Sequence, residues 1–433
     1  MLRWVLIWVV LGLLLSSDAL ALSPQARRGR KIVERSQCTR CHDVSDAAGR
    51  HRGVRPAKRQ LHCVGCHRWV LETRWDDDLK DQRRAVYPDW DRYLENVVHF
   101  TGLPDLGTLT RRVDPRFIRG FLDAACDLRP HLDESMIPVR LKPREKDAVV
   151  AYLAELNRGF VAHLPATPPT APPPDRIAAG RALFSRLTCP TCHLFGDAKI
   201  DAKIDPGFYA AMKPVAQHAP NLRFVRQRIP RPVLVRHIQD PQSVDPNARM
   251  PKQDVTPEQA ELLADFLLFG DPGDTPPRVA ARPEVPLLSR PVSYDEVYGE
   301  VFGQICVHCH MNPRNNHGEG GPGNTGGLGY AGVHLDLETY AGARRGILRD
   351  GKRVSILDPG PNGEPPLLLE ALLRRYNETS ADPANPAALP PGDRPGMPMS
   401  LPPLTKDQLS LIKTWLAAGA PGPRVAARLP GRR

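Results

Sequence analysis

The chain has 433 residues, a formal net charge of +11, 47 prolines and only 6% aromatic residues. This length allows about three domains of ordinary size, and so few aromatic side chains argue against one large, conventionally packed core. The basic residues are scattered along the chain, which argues against a nucleic-acid-binding protein, although positive charge can attract acidic partners.

The first 21 residues are predicted to be a secretory signal peptide. Arg3 provides the positive start, an apolar stretch runs from Trp4 to Leu15, and Ala19-Leu20-Ala21 forms a small-x-small cleavage site. The apolar stretch is short for a transmembrane helix, which needs about 20 residues, and an uncleaved membrane anchor is the alternative. We therefore expect a soluble mature chain outside the cytoplasm, in a periplasm or an equivalent space.

Eight of the nine cysteines lie in four copies of the motif Cys-x-x-Cys-His. The thiols are those of Cys38 and Cys41, Cys63 and Cys66, Cys189 and Cys192, and Cys306 and Cys309, and each pair is followed directly by His42, His67, His193 or His310. On one helical turn, two thiols at this spacing can each form a thioether with a haem vinyl group, and the adjacent imidazole can bind the iron. The motifs therefore predict four covalently attached c-type haems.

Other uses of paired cysteines fit less well. The gap between Cys41 and Cys63 is near the spacing of a zinc ribbon, but zinc has no need of a histidine directly after each second cysteine. Disulfides can form in an exported chain, although neighbouring Cys-x-x-Cys thiols are usually reactive rather than structural. A thioredoxin-like centre would need a strand followed by a helix, and no such context is visible.

Two proline-rich stretches, residues 164–175 and 271–291, are predicted to be extended, semi-rigid linkers. They divide the mature chain into a first segment (22–163), a second segment (176–270) and a third segment (292–421), followed by a basic tail (422–433). The domains are expected to be arranged as beads on these linkers.

The first two segments are repeats of one another. Gly29-Arg30 stands before Cys38 as Gly180-Arg181 stands before Cys189. The other matching pairs are Pro104-Asp105-Leu106 with Pro220-Asn221-Leu222, the helical runs that begin at Pro115 and Pro232, Met136 with Met250, and the amphipathic helices Pro143–Leu156 and Pro257–Phe269. This alignment pairs His42 with Met136, so the motif Cys63–His67 lies in an insertion of the first segment.

This layout resembles the cytochrome c family, in which a helix leads into the haem motif, a loop supplies a distal methionine, and a final helix crosses the first. The third segment resembles it through Met397 to Thr405 and a helix from Leu409 to Ala418, but carries a long glycine-rich insertion between Met311 and Arg394. The resemblance implies an all-α fold of three tandem cytochrome c-like domains, the first of them a dihaem domain.

The proximal iron ligands are expected to be the four motif histidines. A methionine before a helix more often fills a core than binds a metal, but its recurrence favours Met136, Met250 and Met397 as distal ligands, with Met399 as an alternative to Met397. The inserted haem has no obvious methionine. His99 is the first candidate for its distal ligand, and the others are His51, His62 and His131.

Two further features are ambiguous. Cys126, outside the motifs, is interpreted as a buried thiol, with a thiolate ligand to haem as the alternative. Gly321–Gly326 spells G-x-G-x-x-G, but no strand precedes it, so it predicts a surface loop rather than a nucleotide site.

Electron transfer is the function that these features favour. Iron with two axial protein ligands has no position left for a substrate, and the expected partners are redox proteins, including a membrane-bound respiratory complex. The alternative is a haem oxidoreductase with one open or thiolate-bound haem, acting on peroxide, nitrogen oxides or thiosulfate.

Overall fold

The computed structural model describes residues 22–45, 54, 63–87, 90–91, 94, 97, 102–123, 128–129, 132, 136, 139, 141–167, 169–273, 284–312, 329–330, 333–379, 396–399 and 401–423. These residues are mostly helical, as predicted, with one short β-hairpin that was not. No helix among them is both long and apolar enough to cross a membrane.

The secondary structure follows the three segments of the sequence. The first segment contains α1 (Pro24–Arg35), α2 (Cys63–Leu71), α3 (Asp77–Val86), α4 (Pro115–Asp123) and α5 (Pro143–Leu156). The second contains α6 (Pro174–Arg186), α7 (Pro206–Ala216), α8 (Val225–Arg228), α9 (Arg231–Gln239), α10 (Pro241–Val244) and α11 (Pro257–Phe269). The third contains α12 (Tyr294–Val297), a π-helix (Tyr298–Cys306), α13 (Tyr340–Arg345), β1 (Ile347–Arg349), β2 (Lys352–Val354), α14 (Leu367–Thr379) and α15 (Lys406–Ala417).

Local capping explains where the main helices begin. The hydroxyl of Ser23 accepts a hydrogen bond from the N–H of Ala26 at 3.1 Å, and Pro24 opens α1. At the start of α11, Thr256 and Gln259 form a reciprocal capping box, which satisfies amides that the helix leaves without a partner. The bounds predicted for α5 and α11 are confirmed.

The first and last helices of each repeat cross at a glycine. A Cβ on Gly29 would lie 1.9 Å from the carbonyl oxygen of Ala148, so α1 and α5 are in backbone contact there. A Cβ on Gly180 would lie 2.1 Å from the carbonyl oxygen of Leu262, which makes the crossing of α6 and α11 equally close. The repeated glycine of the sequence is therefore required by helix packing.

Gly29→Ala is expected to destabilise the first segment by about 1–3 kcal/mol, the usual cost of overpacking, because α1 and α5 would have to separate. Gly120→Ala on α4 is the matched control, since nothing lies within 4 Å of the added Cβ. Alanine is favoured over glycine inside a helix by roughly 0.5–1 kcal/mol, so the control should be neutral or stabilising. Urea unfolding measures both variants, and equal stabilities would contradict the close crossing.

The third segment packs its opening helices against α15. Phe302 and Trp415 meet edge to face with ring centroids 6.0 Å apart, and Tyr294 lies beside both. Val285, near the end of the second proline-rich stretch, and Val292, directly after it, are buried in the same core. The N–H of Leu288 also donates to the hydroxyl of Thr414 at 2.9 Å. This end of the stretch therefore belongs to the third core.

The inserted helix α2 has a small aromatic core of its own. The ring of Trp69 lies edge to face with that of Trp90, their centroids 5.1 Å apart, and Tyr87 stacks on Trp90 at 5.7 Å. The buried indole N–H of Trp90 donates to the hydroxyl of Thr73 at 2.9 Å. The part of the insertion that the structure describes is thus anchored by aromatic packing.

The first and second segments are in direct contact, which corrects the picture of beads on linkers. The N–H of Asp114 donates to the carbonyl of Arg228 at 2.7 Å, and the N–H of Asn221 donates to that of Leu128 at 2.8 Å. Arg112 Nε forms an ion pair with Asp245 Oδ2 at 2.9 Å across the same interface. The two repeats are therefore fixed relative to one another.

Candidate functional site: the Cys-x-x-Cys-His turns

Three of the four motifs adopt the same tight turn. The carbonyl of Cys38 accepts hydrogen bonds from the N–H groups of Cys41 and His42 at 3.2 and 2.9 Å. The corresponding distances to the carbonyl of Cys189 are 3.1 and 3.0 Å, and those to the carbonyl of Cys306 are 3.2 and 2.9 Å. Each turn therefore holds two thiols and one imidazole in a fixed local arrangement.

In the first two segments the turn is entered through a left-handed residue. Gln37 has φ of 56° and Thr188 has φ of 54°, each directly before the first cysteine. For residues other than glycine this conformation costs on the order of 1–3 kcal/mol, and such strain is concentrated at functional sites. Because a left-handed residue recurs at the same position in both repeats, we infer that the geometry of this turn is important for function.

The imidazoles of these two turns are oriented by proline carbonyls. Nδ1 of His42 lies 2.9 Å from the carbonyl oxygen of Pro104, and Nδ1 of His193 lies 3.0 Å from that of Pro220. Because a carbonyl only accepts, Nδ1 must carry the proton, and Nε2 keeps a lone pair that can bind a metal. Burial lowers the pKa of His42 and so favours this neutral form.

The same loop is fixed by a second matched hydrogen bond. The N–H of Leu106 donates to the carbonyl of Asp43 at 2.9 Å, and the N–H of Leu222 donates to the carbonyl of Leu194 at 2.8 Å. Asp43 and Leu194 each follow the motif histidine directly. The repeats predicted from the sequence thus share the loop that positions the imidazole.

His310 in the third segment is buried in a different way. A Cβ on Gly329 would lie 2.8 Å from Nδ1 of His310, so the bare backbone of that glycine lies against the ring. Burial lowers the pKa of His310 to about 4, which keeps the imidazole neutral. The glycine-rich insertion therefore packs a bare backbone segment against this imidazole, whereas the repeats hold theirs by a proline carbonyl.

The inserted motif lies at the start of α2 and next to the first motif. The thiols of Cys41 and Cys63 are in hydrogen-bond contact, which lowers the pKa of Cys63 to about 6 and raises that of Cys41. Burial, with a smaller effect from His308, lowers the pKa of His67 to about 3. The side chain of Cys66 lies outside the described part of the chain.

The first thiol of each repeated turn is in an environment that disfavours charge. Burial raises the pKa of Cys38 and of Cys189 to about 11, and that of Cys306 to about 12. No disulfide joins the described cysteines. A thioether sulfur carries no charge and so suits these positions, whereas a thiolate metal ligand would have to overcome the cost of burial.

Within the described residues, no three side chains of histidine, cysteine, aspartate or glutamate are grouped in a way that would hold a metal ion. A haem iron needs no such group, because four of its ligands are porphyrin nitrogens and the protein supplies only the axial ones.

The predicted distal methionines lie within the described residues, whereas the predicted distal histidines lie outside them. Met136 and Met250 are partly buried in loops, and the carbonyl of Met250 accepts a hydrogen bond from Gln242 Nε2 at 3.0 Å. Met397 packs against the third core, and its N–H donates to the carbonyl of Ala371 at 2.9 Å, while Met399 is partly buried two residues on. Outside the described residues lie His51, His62, His99, His131, Cys126 and the glycine motif Gly321–Gly326.

One further histidine was missed by sequence reasoning. His237 on α9 is partly buried near Arg112, Asp245 and Arg228, with His193 also nearby, and no described group hydrogen-bonds its Nδ1. Burial lowers its pKa to about 4. In the sequence, a single histidine on an amphipathic helix looks like a core residue. The charged residues near His237 come from both segments, so the sequence does not show that they lie close to it.

Comparison with known proteins adds no relative. No family model, no curated protein and no solved structure matches this chain.

Proposed function

We propose that this chain is an exported tetrahaem c-type cytochrome that transfers electrons between redox partners. The observation that carries the proposal is the matched geometry of His42 and His193. In both, Nδ1 is paired with a proline carbonyl, which makes Nε2 the nitrogen that carries no proton, and the two motif thiols stand on the same turn. This is the donor set that a covalently bound haem needs on its proximal side.

The motif cysteines and the motif histidines have separate roles in haem binding. The eight motif cysteines hold the haems through thioethers, and the imidazoles of His42, His67, His193 and His310 bind the irons. Haem bound in this way supplies a one-electron ferric/ferrous couple. The carbonyls of Pro104 and Pro220 keep the imidazoles of His42 and His193 in one orientation.

Distal coordination decides between a carrier and an enzyme. We propose Met136, Met250 and Met397 as sixth ligands, whose thioethers raise the reduction potential relative to a second imidazole. His99 is proposed for the inserted haem, which would then have the lowest potential of the four. With every iron six-coordinate, no position is open to a substrate, and this supports electron transfer.

The proposed location is outside the cytoplasm, after removal of residues 1–21. Covalent attachment suits that setting because it prevents loss of haem to dilute surroundings. The partners are redox proteins, including a membrane-bound respiratory complex, and the chemistry involves neither nucleic acid nor a small-molecule substrate.

Intact mass spectrometry tests the proposal most directly. Secreted from a host that matures c-type cytochromes, the chain is expected to exceed its signal-free polypeptide mass by four haems. The double variant Cys306→Ala/Cys309→Ala should retain three. A colourless wild-type protein with the bare polypeptide mass would refute the proposal.

A further inference from the structure

The C-terminal end of the first motif is in contact with the second motif. The thiols of Cys41 and Cys63 are hydrogen-bonded to each other. Nearby, Arg68 Nη1 lies 3.6 Å from Asp43 Oδ2. Asp43 and Arg68 are the residues that directly follow His42 and His67. The two contacts therefore place the C-terminal end of the first motif against the second motif.

Each side of this contact has its own support. The backbone of Asp43 is held by the hydrogen bond from Leu106, and α2 is held by the aromatic core around Trp69 and Trp90. The ion pair between Arg68 and Asp43 is about half exposed on both sides, so it contributes little stability. The packing of the insertion thus holds the second motif against the C-terminal end of the first.

We propose that the haems of the first and second motifs form a close pair, joined edge to edge where the sulfurs of Cys41 and Cys63 meet. The inference rests on the proposed function. A thioether sulfur is bonded to a carbon that is itself attached to the porphyrin ring. Two such sulfurs in contact therefore leave only a few atoms between the two ring edges.

A close pair has properties that isolated haems lack. The two ferric irons couple magnetically, and their low-spin signals in electron paramagnetic resonance become broadened or split. A change of charge on one haem also alters the reduction of the other, because the interaction energy of two charges grows as their separation falls. Reduction of one haem would then lower the reduction potential of the other, so the two haems of the first segment would titrate as a coupled pair rather than as two independent sites.

Paramagnetic resonance of the ferric protein is the test, read together with intact mass. In the wild-type protein we expect a coupled signal that includes the haem of His42. The variant Cys63→Ala/Cys66→Ala should lose one haem by mass, and the coupled signal should be replaced by a sharp low-spin signal. The control Cys189→Ala/Cys192→Ala, in the second segment, should also lose one haem but keep the coupled signal.

The outcomes separate the pair from the proposed function. If the Cys63→Ala/Cys66→Ala variant merely loses one independent signal and leaves the others unchanged, the pair is refuted while the tetrahaem assignment stands. If that variant does not mature, the electron paramagnetic resonance signals of the wild-type protein are quantified, and they decide whether the pair exists. Four independent low-spin signals overturn the pair, and a coupled signal supports it. A wild-type protein without haem mass fails the proposed function instead.

Discussion

Arg112→Met is expected to destabilise the interface of the first two segments by about 3–5 kcal/mol, the usual cost of removing one partner from a buried ion pair. The carboxylate of Asp245 is only 5% exposed and accepts hydrogen bonds from Arg112 Nε at 2.9 Å and from the hydroxyl of Thr108 at 3.2 Å. Methionine keeps the length of the side chain but leaves the buried carboxylate without its counter-charge.

Denaturant unfolding followed by far-ultraviolet circular dichroism measures this effect. In the wild-type protein the first and second segments should unfold in one transition, and in Arg112→Met two transitions or one at much lower denaturant should appear. Arg144→Met is the control, because the side chain of Arg144 is exposed on α5 of the same segment. Surface changes of this kind usually stay within roughly 0.5 kcal/mol. Equal unfolding of the two variants would show that the ion pair does not hold the interface.

The interface itself could not be predicted from the sequence. Arg112 and Asp245 are more than a hundred positions apart, and each looks like an ordinary surface charge on its own stretch of chain. Hydrophobic periodicity predicts which face of a helix is buried, but it does not predict which charged residues will form an ion pair. The proline-rich linker therefore suggested separate domains, although polar contacts join them.

The terminal helices of the repeats were predictable because several local signals agreed. α5 and α11 each begin at a proline, and α11 also has a capping threonine and an acid in its first turn. Gly29 and Gly180 were recognised as a repeat, but a glycine in a sequence does not show what approaches it. The close helix crossing became visible only in three dimensions.

The β-hairpin of the third segment was missed although a signal for it was present. Asp350 and Gly351 have φ of 50° and 77°, the positive values that a two-residue Asp-Gly hairpin turn requires. Ile347 pairs with Val354 across this turn. The strands are only three residues long, too short for an alternating pattern to stand out in a glycine-rich insertion.

With the proposed haem ligation, Met250→Ala is expected to open one haem to external ligands. Loss of the proposed thioether ligand would leave the iron of the second segment five-coordinate, so its ferric spectrum should become high-spin and its ferrous form should bind one additional carbon monoxide. The potential of that haem should also change, since the axial ligand is one of the main determinants of haem potential. The loop should otherwise persist, because Gln242 Nε2 holds the carbonyls of Ala248 and Met250 at 3.0 Å each.

Met212→Ala provides the matched control in the same segment. Met212 is partly exposed and lies on α7, not in the loop that carries Met250. Carbon monoxide titration of the reduced proteins compares the two variants with the wild type. Because the replacement and the segment are the same, a general loosening of the haem pocket would raise the stoichiometry in both variants. An increase of one only in Met250→Ala identifies the ligand, whereas equal stoichiometry in both would assign the sixth position of that iron to another side chain.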